Sequence, residues 1–283
     1  MTTQDSATAT DRTLKAKHRA MWAQGDYPSL AAEVIPGLGA VLVEACGVHP
    51  GQRVLDVGAG SGNAAIPAAL AGADVIASDL TPELFGAGRL AAEKQGADLT
   101  WQEADAEDLP FADAAFDTVL SCVGVMFAPH HQQASDELIR VCRPGGTIGL
   151  LSWTPQGFIG RMFAAMKPYA PPPPPGAQPP PLWGDVNHVR ALLGDRDRVT
   201  DVHTERGTAR VDHFATPEAF RDYFKERYGP TITVYKNIAD DPDRVAALDR
   251  ALVDLGRDGD LGTGPDGTIL EWEYLLLTAR RAG

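Results

Sequence analysis

A doubly wound α/β fold on a mostly parallel sheet is predicted for this chain by three observations. Short strand runs alternate with helical stretches from residue 53 to residue 153. Those strand runs are continuously apolar rather than alternating, as expected of a sheet covered by helices on both faces. The first of them, RVLDVGAG (53–60), runs straight into glycines, and right-handed crossovers then bring all the strand C-terminal ends to one edge, where ligands of such sheets bind.

Each element follows in order. Residues 1–12 are polar and read as a frayed tail. A helix is expected from Leu14 to Ala23, ending before Gly25, and a second from about Leu30 towards Cys46. After the first strand, NAAIPAALAGA (63–73) reads as a helix closed by Gly72, DVIASDL (74–80) as a second strand and PELFGAGRLAAEKQG (82–96) as a second crossover helix. Gly86 and Gly88 weaken the middle of that helix. ADLTWQEAD (97–105) gives a third strand, FDTVLSCVGVMF (116–127) a fourth, HQQASDELIRVC (131–142) a helix and GTIGLLSW (146–153) a fifth strand.

Beyond Trp153 the pattern loosens. PPPPPGAQPPP (171–181) favours extended polyproline conformation, as a stiff connector or as a lid above the sheet edge. A helix is expected at 187–193, a strand at 199–211, helices at 217–228 and 241–255, a loop at 256–267 and a final strand at 268–281. The chain therefore divides into a helical N-terminal cover (1–50), an α/β core (51–155), a proline-rich connector or lid (156–198) and a segment completing the sheet (199–283).

Composition narrows the function. The 283 residues carry a formal net charge of −13, which works against tracking a nucleic-acid backbone. The three cysteines, Cys46, Cys122 and Cys142, form no CxxC pair, so a reducing, cytoplasmic setting is expected. No apolar run approaches a membrane span, and the polar N-terminus has no signal-peptide core.

The strongest feature is VLDVGAGSGNAAIPAAL (54–70), in which Gly58, Gly60 and Gly62 separate a strand from a helix. The spacing is G-x-G-x-G with Asn63 beyond it, not the G-x-G-x-x-G of a dinucleotide site. Asp56, two residues before the turn, would repel a pyrophosphate but suits a cationic head group. Asp79 closes the second strand, where a carboxylate can accept both hydroxyls of a ribose. Asp105 can accept from an adenine amine, or belong with Glu103, Glu107 and Asp108 to a solvated acidic loop.

This set resembles class I S-adenosylmethionine-dependent methyltransferases, especially the small-molecule group like those of ubiquinone and menaquinone biosynthesis. The resemblance is concentrated in residues 50–155 and includes DAEDLPFADAAFDTVLSCVGVMF (105–127) and ELIRVCRPGGTIGLLSW (137–153). It implies seven strands with the last antiparallel, and S-adenosylmethionine as cofactor, leaving S-adenosylhomocysteine. By the resemblance, Asp56, Gly58, Gly60 and Gly62 meet the amino-acid end of the cofactor. Asp79, with Leu80 following, meets the ribose; Asp105 and Ala106 lie beside adenine; and Ser121 joins the binding set. HRAMWAQGDY (18–27) resembles the N-terminal cover of some members, making Trp22 and Tyr27 either cofactor-pocket walls or ordinary core aromatics.

Methyl transfer chiefly requires holding an acceptor in line with an activated methyl group and excluding water. His130 and His131, just beyond the fourth strand, are the candidate bases, or else solvent-facing residues of a helix's first turn; His18, His203 and His213 are weaker candidates. No cluster of metal ligands is evident, and the Asn/Asp-Pro-Pro-aromatic motif of amino-methylating DNA enzymes is missing. Aromatic and methionine residues between Phe158 and Tyr228 can line an apolar pocket or fill a core. The expected partner is a small acceptor, apolar or aromatic, with no nucleic acid and no membrane span, in a monomer or homodimer. The alternatives are an NAD(P)-dependent oxidoreductase and a non-catalytic cofactor-binding protein.

Overall fold

The computed structural model describes residues 3–194, 197–264 and 267–283, and the side chains of these except 3–10 and 263–264. Its sheet contains β1 (Arg53–Val57), β2 (Asp74–Asp79), β3 (Thr100–Glu103), β4 (Phe116–Cys122), β5 (Cys142–Trp153), β6 (Val199–Val211), β7 (Asp260–Gly264) and β8 (Gly267–Arg281). The strand order is β3-β2-β1-β4-β5-β8-β6, with β7 paired to β8. Strands β1 to β5 pair in parallel, and β8 runs antiparallel to both β5 and β6. This is the predicted doubly wound, mostly parallel sheet, with the short β7 added by a hairpin where a loop was expected.

The chain direction across the sheet reverses between β1 and β4, so the crevice above their C-terminal ends is the topological switch point. The apolar strands justify that central position: Val54, Leu55, Val119 and Leu120 are all fully buried. RPGG forms the bulge at the start of β5, where the pairing with β4 slips from Phe116–Cys142 to Thr118–Thr147.

The helices are α1 (Thr3–Ala23), α2 (Tyr27–Glu33), α3 (Leu38–Ala45), α4 (Ala65–Leu70), α5 (Phe85–Gln95), α6 (His131–Val141), α7 (Phe158–Met166), α8 (Val186–Leu193), α9 (Pro217–Arg227), α10 (Gly229–Asn237) and α11 (Pro242–Asp258). Several expectations are corrected. Helix α1 begins at Thr3, so a frayed 1–12 tail is not found; Met1 and Thr2 lie outside the described residues. The helix expected from Leu30 to Cys46 is two helices, broken around Pro36 and Gly37. The fourth strand stops at Cys122 because Val123 adopts φ +56° and turns the chain into a 3-10 turn, Val125–Phe127.

Helix α5 runs unbroken through Gly86 and Gly88. A Cβ on Gly88 would lie 2.3 Å from the Trp101 ring, and one on Gly62 would lie 2.8 Å from it. Both glycines therefore make room for the β3 indole. Helix α7 lies where only loose chain was expected, and α10 was not anticipated. The α1–α2 junction is tied to the α9–α10 junction, since Asp26 N–H donates to the Arg227 carbonyl at 2.8 Å. No single helix among the described residues is long and apolar enough to cross a membrane.

Candidate cofactor and active site

The β1 turn and the β2 acid form one structure. One Asp79 oxygen accepts the Gly60 N–H at 2.8 Å and the other accepts the Thr81 N–H at 2.8 Å. Gly60 has φ +56°, and a Cβ there would press to 3.2 Å from the Tyr27 ring, so glycine suits both the backbone and the cover. Across the switch point, the turn after β4 packs on the turn after β1: a Cβ on Gly58 would meet Gly124 Cα at 2.8 Å. Ser121 Oγ fastens the two, donating to Val57 O at 2.6 Å and accepting from Val125 N–H at 2.8 Å.

These segments frame a solvent-open cleft of about 700 Å³. Eight sequence-predicted residues meet in its lining: Trp22, Tyr27, Gly58, Gly60, Asp79, Leu80, Asp105 and Ala106. Five do not. Gly62 faces Trp101, and Ser121 is spent on holding the turns. Asp56 is 1% exposed behind the glycine turn, and neither carboxylate oxygen has a hydrogen-bond partner.

The two candidate bases stand outside the lining as well. His131 is fully buried, with its ring against Trp183 and Nδ1 3.0 Å from His188 Nε2. It is neither in the cleft nor facing solvent. His130 Nδ1 lies 2.9 Å from Glu107 Oε2, and its backbone N–H donates to Glu107 Oε1 at 2.6 Å. His130 is therefore fixed beside the rim.

Sequence reasoning missed Lys15, which lines the cleft from α1, and Val123 and Phe127 beyond β4; His18, weighed only as a weaker candidate base, lines the cleft beside Lys15. Lys15, 8% exposed, pairs with Asp105 at 2.9 Å and with Glu107. Lys15, His18 and Trp22 recur at helical spacing, and that period was the signal available for them. The acidic run is thus not a free solvated loop, because Asp105 Oδ1 accepts from both Lys15 and the Glu107 N–H, the latter at 2.9 Å.

The electrostatics follow from burial. Asp56 is pushed up to about 8 by desolvation, with the Ala65 N–H, which lies outside hydrogen-bond geometry, pulling the other way and the Asp79 charge adding to the rise. Asp79 is also raised by burial, partly offset by its Thr81 and Gly60 hydrogen bonds. Burial lowers His18, and the Lys15 charge lowers it further, so its imidazole is neutral near pH 7. Burial and His188 hold His131 down to about 4.

Residues 55–150 match the family described as a methyltransferase domain. With the sheet order and the switch-point cleft, this defines the class: a class I S-adenosylmethionine-dependent methyltransferase, which moves a methyl group from that cofactor to a small molecule. The chain belongs to the same family as the uncharacterized protein Rv1405c of Mycobacterium tuberculosis, to which it is 53% identical over 277 residues, covering 98% of each chain. It is similar over 108 residues to a demethylmenaquinone methyltransferase of Renibacterium salmoninarum, at 39% identity, covering 38% of this chain and 44% of that one. Among solved structures, phosphoethanolamine N-methyltransferase 2 of Haemonchus contortus, in complex with phosphomonomethylethanolamine and S-adenosylhomocysteine, shares the fold. That likeness has a TM-score of 0.53 at 16% identity, over 87% of this chain and 52% of that one.

Proposed function

We propose that the switch-point cleft binds S-adenosylmethionine through the residues gathered there, and that the acceptor is a small, apolar or aromatic metabolite. The observation that carries this is Asp79: both its oxygens are fixed by backbone N–H groups on the cleft wall. Each oxygen keeps a lone pair for a ribose hydroxyl. Asp56 tests the fit independently, since a fully buried carboxylate with two orphaned oxygens calls for a positive charge or a bridging water. Asp105 and Ala106 stand where an adenine edge can be read, and Leu80 supplies an apolar wall.

When bound, the cofactor supplies an electrophilic methyl group. The chain's own work is to bind, orient and exclude water. Trp22 and Tyr27, packed edge to face with ring centroids 5.6 Å apart, close the cleft from the N-terminal cover. With His131 sealed and His130 held by Glu107 outside the lining, the rate rests on positioning rather than on either imidazole. The proline-rich strap reaches the same rim, where Gln178 N–H donates to Pro129 O at 3.0 Å, which supports a lid role for residues 156–198.

The partial likeness to a demethylmenaquinone methyltransferase supports a place in the ubiquinone- and menaquinone-like small-molecule group, through the cofactor half. The free, buried cysteines suit a cytoplasmic setting. The test is incubation of the purified protein with S-adenosylmethionine and a fractionated metabolite extract, followed by mass spectrometry. Enzyme-dependent gain of one methyl group by a compound in the apolar fractions is expected. Gain confined to proteins, nucleic acids or highly charged metabolites would overturn the acceptor class.

A further inference from the structure

Helix α1 lies along the cofactor cleft and is fastened at two points. At one, Lys15 pairs with Asp105 at 2.9 Å. At the other, Trp22 packs edge to face on Phe127, with ring centroids 4.7 Å apart, and on Tyr27, whose ring lies against Gly60. His18 stands one turn beyond Lys15 and one turn short of Trp22 on the same helix face. Its imidazole, half-buried, is therefore held over the middle of the cleft. Asp105, the acid read as adenine's partner, lies to one side, and the glycine turn read as the amino-acid end lies to the other. The sulfur of the cofactor joins its ribose to that amino-acid end, so it falls in the same middle stretch.

His18 is the one imidazole among the described residues lining the cleft. The charged side chains of that lining are already engaged within the protein. Asp79 accepts from the Gly60 and Thr81 N–H groups, and Asp105 is held by Lys15 and the Glu107 N–H. The groups that face His18 are Lys15 on its own helix, Glu107 and Asp105 on the loop after β3, and His130 at the N-terminus of α6.

Resting on the S-adenosylmethionine reading above, we infer that His18 is a specificity residue: by gaining or shedding a proton over the middle of the cleft, it sets the preference between S-adenosylmethionine, whose sulfur is cationic, and S-adenosylhomocysteine, whose sulfur is neutral. The two ligands share adenine, ribose, carboxylate and ammonium groups, so Asp105, Asp79 and Asp56 meet the same partners in both. An imidazolium repels a sulfonium in a partly desolvated cleft, and a neutral imidazole does not. The neutral ring prevails near pH 7, because burial and the Lys15 charge outweigh the pull of Glu107 and Asp105. Acidification below the ordinary imidazole value of 6.5 therefore turns the cleft away from the cofactor and towards its product. By linkage, bound S-adenosylmethionine drives the proton off His18 and bound S-adenosylhomocysteine does not.

The test is calorimetry of the full chain with both ligands at about pH 7.5 and about pH 5, on either side of the imidazole range, read as the ratio of the two Kd values. In the wild-type protein that ratio should move roughly tenfold against S-adenosylmethionine as the pH falls. His18→Gln should keep its affinity for S-adenosylhomocysteine, which also shows that it is folded, and should cut the movement to less than about threefold. His130→Gln, which removes the neighbouring imidazole, should leave the movement at its wild-type size. A second readout needs no variant: the NMR titration midpoint of the His18 ring should be lower with S-adenosylmethionine bound than with S-adenosylhomocysteine. A ratio independent of pH, the same movement in His18→Gln, its loss in His130→Gln alone, or equal midpoints with the two ligands would overturn the inference and leave the cofactor reading in place. Failure of the wild-type protein to bind either ligand at about pH 7.5, where the imidazole is neutral, would overturn the cofactor reading and this inference with it.

Discussion

Asp79 and Gly60 are joined by a hydrogen bond of 2.8 Å from the glycine N–H to the carboxylate, so the acid ending β2 sets the shape of the turn ending β1. A change at Asp79 therefore acts twice, on the cleft wall and on the glycine turn. Asp79→Ala should raise the Kd for S-adenosylhomocysteine by more than about tenfold. Asp79→Asn should lose less, because one amide oxygen still accepts. Calorimetry on the folded variants checks this, and an unchanged Kd for Asp79→Ala would sink the assignment.

Asp56 gives a pH signature. Its folded value is raised from 3.8 to about 8, so the folded protein holds the proton more tightly than the unfolded chain. Its stabilising contribution is full below about pH 4 and is lost as the pH rises through about 8. The Tm of the ligand-free protein should fall over that window, and Asp56→Asn should flatten the fall and raise the Tm at pH 8. The same variant should bind S-adenosylmethionine more weakly, since a cation favours the ionised carboxylate it lacks. A pH–Tm profile identical in both proteins would contradict this account of Asp56.

Lys15 links the N-terminal cover to the loop after β3. Burial pulls its ammonium down, but hydrogen bonds and attraction from Glu107 and Asp105 outweigh it, and the net shift is upward. That contribution is complete below the ordinary 10.5 and disappears only as the pH rises through the higher folded value, so it is constant across physiological pH. Lys15→Met should cost about 3 kcal/mol, as breaking a buried pair does, and should expose α1 to limited proteolysis. Unaltered protease resistance with unaltered stability would show that the pair does not hold the cover.

How far the sequence reached is clearest from particular residues. Leu80 and Ala106 came only with the family resemblance, whereas the β1 turn and the acids Asp79 and Asp105 were legible as cleft positions because glycine demands and strand ends are local in the chain. Gly62 and Gly88 were not, since their reason is Trp101, a neighbour brought in by β3 only on folding. Lys15 was hidden in a stretch too polar to read as a buried helix face, and the same polarity left His18 a weaker candidate base. His131 sits on the predicted helix, yet its fate was decided by Trp183 and His188, more than fifty residues away in the chain. Helix α7 was masked by the proline run that follows it.

For the two imidazoles beyond β4, alanine variants should separate packing from catalysis. His131→Ala should lower the Tm by several degrees, by opening a cavity under Trp183 worth about 2 kcal/mol, with no change in cofactor Kd. Turnover per folded molecule should stay within about threefold of wild type in both His131→Ala and His130→Ala, whereas removal of a general base costs roughly 100-fold or more. A loss of that size in His130→Ala would restore it as the proton acceptor.

The central claim is that the switch-point cleft is built for a sulfonium nucleoside and not for a dinucleotide. Isothermal titration of the purified wild-type protein with S-adenosylhomocysteine, S-adenosylmethionine and NAD tests it most directly. One-site binding of both sulfur nucleosides, with no heat from NAD, is the result expected from Asp56, Gly60 and Asp79 as they stand. Saturable NAD binding with neither sulfur nucleoside bound would contradict it.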